Sequence, residues 1–161
     1  LSHESAWSRG QAWALYGYTM CYRETKIPEF LQQAKKVEEF LFNHPHMPTD
    51  YVPYWDFDAP EIPNETRDAS AAAIIASALY ELSLYDPENA ERDKERADKI
   101  LENLSKNYRA TMGHDNGFLL LHSTGTKPTN VEVDVPIVYA DYYFIEALLR
   151  KDRLEKTGKL F

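Results

Sequence analysis

Two alternating kinds of helical segment constrain the fold of this chain more than any other feature. A segment at about residues 8 to 23 is apolar on nearly all sides. The next segment starts near Pro28 and places apolar residues at three- and four-residue spacing, with charges on the opposite side. The first pattern is typical of a buried helix and the second of a helix with one side in solvent. Proline is favoured in the first turn of a helix, so Pro28 marks the start of the second helix.

The same alternation continues along the chain. DASAAAIIASALYELSLY, which starts at Asp68, is apolar around most of its circumference, and Asp68 is placed to cap its first turn. A charged segment with regularly spaced apolar residues follows. That segment opens with Asp86 as the cap, Pro87 as a first-turn proline and Glu88 as a favourable acid. A fifth segment, from about residue 136 to 150, is again mostly apolar.

The three apolar segments begin roughly 60 to 70 residues apart, which is longer than the usual solenoid repeat of about 34 to 47 residues. We therefore expect an all-α fold of helical hairpins arranged as one layer inside another, as in an α/α toroid or an α-solenoid. Two long connections, 44–67 and 112–134, each lead into an inner helix. In a toroid of hairpins, such connections and the first turns of the inner helices share one mouth of the central cavity.

Composition limits the classes of partner. The chain has 161 residues, enough for a single domain spanning 1–161 with a hydrophobic core. Its formal net charge of -8 argues against nucleic acid and against an anionic membrane surface. Cys21 is the only cysteine, so redox chemistry does not decide between a cytoplasmic and a periplasmic location. The histidines lack the spaced carboxylates of a metal site, so we expect no metal and no cofactor.

Arg9 is out of place in an otherwise apolar segment, between Trp7 and Trp13. On a helix Arg9 and Trp13 lie on one face. Burying a lone guanidinium is very costly, so Arg9 either meets an acid such as Glu4 or Asp68 or faces a wet cavity. In the second case, a cation beside flat aromatic rings would suit an acidic sugar.

The aromatic cluster at 54–58 leaves two interpretations open. Its rings pin a loop to the mouth of the cavity, or Tyr54 or Trp55 forms part of a wall on which sugars stack. Asp56 and Asp58 suggest a pair of glycosidase carboxylates. We do not expect the two acids to act as that pair.

Three motifs follow one another along the chain: WSRGQAW at 7–13, PYWDF with RDASAAAIIASALYEL at 53–57 and 67–82, and VDVPIVYADYYFIEALLR at 133–150. Together they resemble the unsaturated glucuronyl hydrolases of glycoside hydrolase family 88. The resemblance implies an (α/α)6 barrel. It also implies hydration of the C4=C5 double bond in the unsaturated uronic acid that polysaccharide lyases leave on oligosaccharides, with no metal required.

The resemblance also implies the site residues. Trp7, Arg9 and Trp13 match substrate-lining positions of the family motif, with the tryptophans stacking on sugar and Arg9 near a carboxylate or sulfate. Thr126 and Thr129 fall where some family members have two serines that recognise an anionic substituent. Substrate-binding residues are thus expected at Trp7, Arg9, Trp13, Thr126 and Thr129.

No catalytic residue is expected in this chain. The family's catalytic aspartates lie upstream of the WSRGQAW motif, so the chain corresponds to a C-terminal portion of the barrel, with the N-terminal half of the same barrel as its expected partner. Two alternatives stay open: a non-catalytic helical module that binds carbohydrate or serves as a scaffold, and the related unsaturated rhamnogalacturonyl hydrolases. RGQAW favours the glucuronyl family, because the rhamnogalacturonyl family is expected to have a pattern nearer RGNGW.

Overall fold

Five α-helices dominate the computed structural model, which describes residues 3–160. They are α1 (Ser8–Thr25), α2 (Pro28–Asn43), α3 (Ala69–Leu82), α4 (Ala90–Asn107) and α5 (Val138–Thr157). Two short 3₁₀ turns, Asp115–Gly117 and Lys127–Thr129, lie in the long connection before α5. Across the described residues, β structure is limited to isolated bridges between loop segments. The prediction of an all-α fold is confirmed.

The helices form an inner and an outer layer around α3. Helix α3 packs against α1 on one side and α5 on the other, while α4 covers its outer face and α2 covers α1. Every residue of α3 is buried, as expected for a helix with neighbours on all sides. The predicted alternation of inner and outer helices is therefore present, with α1, α3 and α5 in the inner layer.

The outer helices bury one side each. Helix α2 turns Ala34, Val37 and Leu41 inward, and α4 does the same with a stripe of apolar residues at three- and four-residue spacing. Charged groups join the two helices on their polar sides, since the buried Glu38 forms ion pairs with Arg92 and Arg96. The amphipathic pattern in the sequence thus predicts both the inward and the outward faces.

The starts of two helices follow the sequence signals. Pro28 is the first residue of α2. The carboxylate of Asp68 accepts hydrogen bonds from the backbone amides of Ser70 and Ala71, which would otherwise lack partners at the end of α3. Both predicted starts are confirmed.

The predicted start of α4 is wrong. Residues 87–89 form a turn, and the helix begins at Ala90. The carboxylate of Asp86 does not cap α4, because it is bound by the side-chain amide of Asn89 at 2.8 Å and by the ammonium of Lys35 at 2.9 Å. The acid therefore connects the turn to α2 instead of starting the helix.

Helix α5 extends about two turns beyond the predicted end at residue 150. Its last residues, KDRLEKT, are mostly good helix formers and continue the helix to Thr157. Gly158 then adopts a left-handed conformation, with φ of 68°, which ends the helix. No helix among residues 3–160 combines the length and the apolar character needed to cross a membrane.

The two sides of α5 are both apolar, but only one packs against another helix within residues 3–160. Ala140, Phe144 and Ala147 are buried on the side that packs against α3. On the opposite side an exposed stripe consists of Val138, Tyr142, Ile145 and Leu149. The stripe has the spacing with which an inner helix contacts a further helix.

Two leucines that differ in burial can be used to test the packing of the core. Leu104 of α4 is fully buried, whereas Leu84, after α3, is 38% exposed. Leu104→Ala should lower the free energy of unfolding by about 2–5 kcal/mol because it leaves a cavity, and Leu84→Ala by less than about 1.5 kcal/mol. Urea denaturation of both variants measures the difference. Equal losses would show that α4 is not packed as described.

Candidate functional site

Arg9 joins three segments of the chain at one end of the inner helices. It lies in the first turn of α1 and is only 5% exposed. Its Nη1 donates to Oδ2 of Asp68 at 2.6 Å and to the carbonyl oxygen of Thr124 at 2.6 Å, and its Nη2 donates to the carbonyl oxygen of Gly125 at 2.6 Å. As predicted, the long connections and the first turns of the inner helices meet at one end of these helices, and a central cavity opening there stays a prediction.

Asp68 is the counter-charge of Arg9. Its side chain is fully buried, and its second oxygen, Oδ1, accepts the hydroxyl of Ser70 at 2.5 Å. Of the environments considered for Arg9, pairing with an acid is the one present, and that acid is Asp68. Because the guanidinium is neutralised inside the protein, a direct contact of Arg9 with a substrate stays a prediction.

A groove with a volume of about 370 Å³ opens beside Arg9. The groove is lined by two tryptophans, two cations, a buried carboxylate and two side chains with hydroxyls: Trp7, Trp55, Arg9, Lys127, Asp56, Thr126 and Ser5. Apolar ring surface and a few polar groups converge in it, as in typical ligand sites.

Trp7 precedes α1 and presents its indole to solvent. The side chain is 42% exposed, and the guanidinium of Arg9 lies 4.8 Å from the centroid of its ring. The same guanidinium lies 5.4 Å from the ring of Tyr139 in the first turn of α5. Burial raises the pKa of Tyr139, and the positive charge of Arg9 opposes that rise. Cation–π contact thus holds two aromatic rings around one buried charge.

Trp13 lies further along α1 and does not line the groove. It is 36% exposed, and its ring packs edge-to-face against Tyr143 of α5, with centroids 5.1 Å apart. Tyr139 and Tyr143 were not among the predicted site residues. Their spacing of four residues on an inner helix was a usable signal, because it places both on one face of α5.

A polar network around Tyr16 packs next to the rings of Trp13 and Tyr143. The hydroxyl of Tyr16 donates to Glu146 at 3.2 Å, and its ring contacts Tyr143 at 5.3 Å. Arg150 donates to the carbonyl oxygen of Ser77 at 2.8 Å and forms an ion pair with Glu81. Burial raises the pKa of Tyr16, so its hydroxyl stays protonated and available as a donor.

Thr126 and Thr129 belong to a tight loop above the groove. The loop is closed by hydrogen bonds from the Gly125 amide to the Glu132 carbonyl and between Thr126 and Val131. Thr126 lines the groove, whereas the exposed Thr129 lies outside it and donates its hydroxyl to the Thr126 carbonyl at 3.2 Å. The structure therefore brings Trp7, Arg9 and Thr126 to one groove and leaves Trp13 and Thr129 outside it.

Lys127 fixes the same loop to the opposite connection. Its ammonium lies 2.9 Å from Oε1 of Glu65, whose side chain is only 4% exposed. Burial favours the neutral form of Glu65, but hydrogen bonds from Lys127 and from the Thr66 amide outweigh it and lower the pKa of the carboxyl. Glu65 was not identified in the sequence, because nothing local connects it with a lysine sixty residues away.

The aromatic cluster at 54–58 forms the floor of the groove. Trp55 and Asp56 are both buried and line it, as expected for rings that pin the loop, and a stacking role of Trp55 stays a prediction. Asp56 accepts the amide of Asp58 at 2.8 Å, while the exposed Asp58 accepts the amide of Ala6 at 2.9 Å. The two acids act as separate anchors of the loop.

Fold and site together define an all-α protein with an aromatic groove at one end of its inner helices, an arrangement found in part of an α/α barrel. No family model matches the sequence. The chain is 51% identical over 151 residues to an unsaturated glucuronyl hydrolase of Formosa agariphila, a match that covers 93% of this chain and 37% of the relative.

Solved structures give the same result. An unsaturated glucuronyl hydrolase specific for heparin superimposes with a TM-score of 0.93 and 47% identity, over 97% of this chain and 42% of the other. A variant of the enzyme from Streptococcus agalactiae, complexed with dGlcA-GalNAc6S, gives a TM-score of 0.85 and 31% identity, over 93% of this chain and 40% of the other.

The chain is thus homologous to the unsaturated glucuronyl hydrolases, and the resemblance seen in its three motifs is confirmed. It forms part of an α/α barrel and spans about two fifths of the length of these relatives. This partial coverage is consistent with catalytic residues that lie outside the chain.

The ion pair of Arg9 and Asp68 can be tested by stability. Asp68→Ala should lower the free energy of unfolding by about 3–5 kcal/mol, because it leaves a guanidinium buried without a counter-charge and removes the cap of α3. Asp152→Ala is the matched control. It removes only an exposed pair with Lys156 on α5 and should cost less than about 1 kcal/mol. Equal losses in urea denaturation would contradict the role given to Asp68.

Proposed function

We propose that the chain is the substrate-binding portion of an unsaturated glucuronyl hydrolase, an enzyme that acts on unsaturated uronic-acid oligosaccharides released by polysaccharide lyases. The observation that carries the proposal is the groove beside Arg9, where Trp7, Trp55 and Thr126 converge in a chain homologous to such enzymes. Indole rings bind the apolar face of a sugar, and the polar groups around them bind its hydroxyls.

The reaction proposed for the whole protein is hydration of the C4=C5 double bond. A carboxylic acid protonates the vinyl ether, water adds to the other carbon, and the resulting hemiketal opens and releases the neighbouring sugar. The acids of the groove are poor candidates for this proton donor. Asp68 is held by Arg9 and by the end of α3, and Asp56 is committed to the loop that carries it. The donor is therefore assigned to the part of the barrel outside this chain.

The exposed stripe on α5 supports the presence of that further part. Its four apolar residues lie opposite the side that contacts α3, which is where the next inner helix of a barrel would pack. We infer that 1–161 acts as one domain portion of an (α/α)6 barrel and that the N-terminal half of the same barrel covers the stripe. The relatives are unsaturated glucuronyl hydrolases. A non-catalytic binding module or scaffold is therefore not favoured, and neither is a rhamnogalacturonyl hydrolase.

Loss of ultraviolet absorbance tests the reaction. Full-length protein incubated with lyase-generated unsaturated disaccharides should abolish the absorbance of the C4=C5 bond. Saturated disaccharides of the same composition should stay intact, because they have no vinyl ether to protonate. Trp7→Ala should slow the loss about fivefold at low substrate concentration by removing the exposed indole that lines the groove, whereas Trp7→Phe should retain most of the rate.

The same assay separates the two parts of the barrel. The 161-residue chain alone should leave the absorbance unchanged, because it lacks the proton donor. Turnover of saturated disaccharides by the full-length protein would show that the reaction is wrongly assigned. Turnover by the isolated chain would show that the donor lies in the residues described above.

A further inference from the structure

Both cations of the groove are bound by buried carboxylates. Arg9 is paired with Asp68 at 2.6 Å, and Lys127 is paired with Glu65 at 2.9 Å. Each acid is almost completely shielded from solvent, so each pair interacts at short range with little screening. The positive charges that the sequence offers for an anionic ligand are therefore already balanced within the protein.

A third carboxylate makes the groove negative overall. Asp56 is 1% exposed and lines the floor. Its side chain accepts the backbone amide of Asp58, whereas the two cations of the groove form their ion pairs with Asp68 and Glu65. Two cations are thus outnumbered by Asp56, Glu65 and Asp68, which opposes a further anion at this position.

The hydroxyls of the loop do not change this balance. Thr129 donates its hydroxyl to the Thr126 carbonyl and lies outside the groove, so Thr126 is the threonine of this loop that lines the groove, together with Ser5 from the segment before α1. A sulfate is bound best by cations with free donors, whereas a sugar hydroxyl is satisfied by a neutral hydroxyl and a carboxylate. The groove has the second set of groups.

We propose that Glu65 determines specificity by holding Lys127, so that this groove selects disaccharides whose sugar beside Thr126 carries a hydroxyl and no sulfate. The inference rests on the proposed function, because it names the substrate class of the same site. It distinguishes this chain from the Streptococcus agalactiae enzyme, whose structure contains dGlcA-GalNAc6S.

Glu65 acts through the position of Lys127. The lysine side chain is 31% exposed and borders the groove, so its ammonium can turn toward a ligand once the carboxylate is neutralised. Glu65→Gln keeps the shape and a hydrogen-bonding oxygen but removes the charge that holds the ammonium. This substitution should convert a balanced pair into a free cation at the groove.

The experiment compares two unsaturated disaccharides that differ by a single 6-sulfate, using the full-length protein. The wild type should show the higher kcat/KM with the unsulfated disaccharide. Glu65→Gln should raise the ratio of sulfated to unsulfated kcat/KM about fivefold, mostly through a lower KM for the sulfated disaccharide. Glu61→Gln, at an exposed position of the same loop, changes the net charge equally and should leave the ratio unchanged.

A double variant completes the test. Glu65→Gln/Lys127→Gln should return the ratio to the wild-type value, because the freed cation is then absent. A wild type that prefers the sulfated disaccharide, or a folded Glu65→Gln protein with an unchanged ratio, would overturn the inference while the proposed function stands. Turnover of neither disaccharide by the wild type would overturn both. If Glu65→Gln does not fold, the ratio of sulfated to unsulfated kcat/KM of the wild type still tests whether the groove selects the unsulfated disaccharide.

Discussion

The ion pair between Arg9 and Asp68 is the interaction on which the site depends. Asp68 satisfies the first amides of α3 with one carboxylate while it neutralises a guanidinium that enters from α1. The same guanidinium holds two carbonyl oxygens of the loop before α5. Neither charge could be buried alone, so the ends of the inner helices and the loop between them are fixed relative to one another.

This arrangement requires the close packing of α3. Its side chains are mostly alanine and serine, with larger residues such as Ile74, Leu79 and Tyr80 spaced along it, and all are buried. Small side chains let α1 and α5 approach from both sides, so that rings from these two helices meet across α3. The contact of Trp13 with Tyr143 and that of Tyr16 with Tyr143 are results of this approach.

Local patterns predicted the helices well. The inner and outer character of each helix, the cap at Asp68 and the first-turn Pro28 follow from residues close together in sequence, where periodicity and capping operate. The start of α4 was wrong because Asp86 has stronger partners in Asn89 and in Lys35 of another helix. A capping signal does not reveal such competing partners.

The site was predictable only in part. Trp7, Arg9 and Thr126 were found from one motif and one loop, and they share the groove. Glu65 contacts Lys127, which lies far away in sequence, so no local pattern predicts that contact. Tyr139 contacts Arg9, and its spacing of four residues from Tyr143 on an inner helix was a signal that the sequence did offer. Thr129 was expected to bind substrate, but it lies outside the groove and donates its hydroxyl to the Thr126 carbonyl.

A crystal structure of the full-length protein with a bound uncleaved disaccharide tests the central claim most directly, namely that the groove fixed by Arg9 and Asp68 holds the sugar. The account predicts a sugar ring against the indole of Trp7, with a hydroxyl near Thr126 and with the Arg9–Asp68 and Lys127–Glu65 pairs intact. A disaccharide bound elsewhere in the barrel, with only solvent in this groove, would contradict the account.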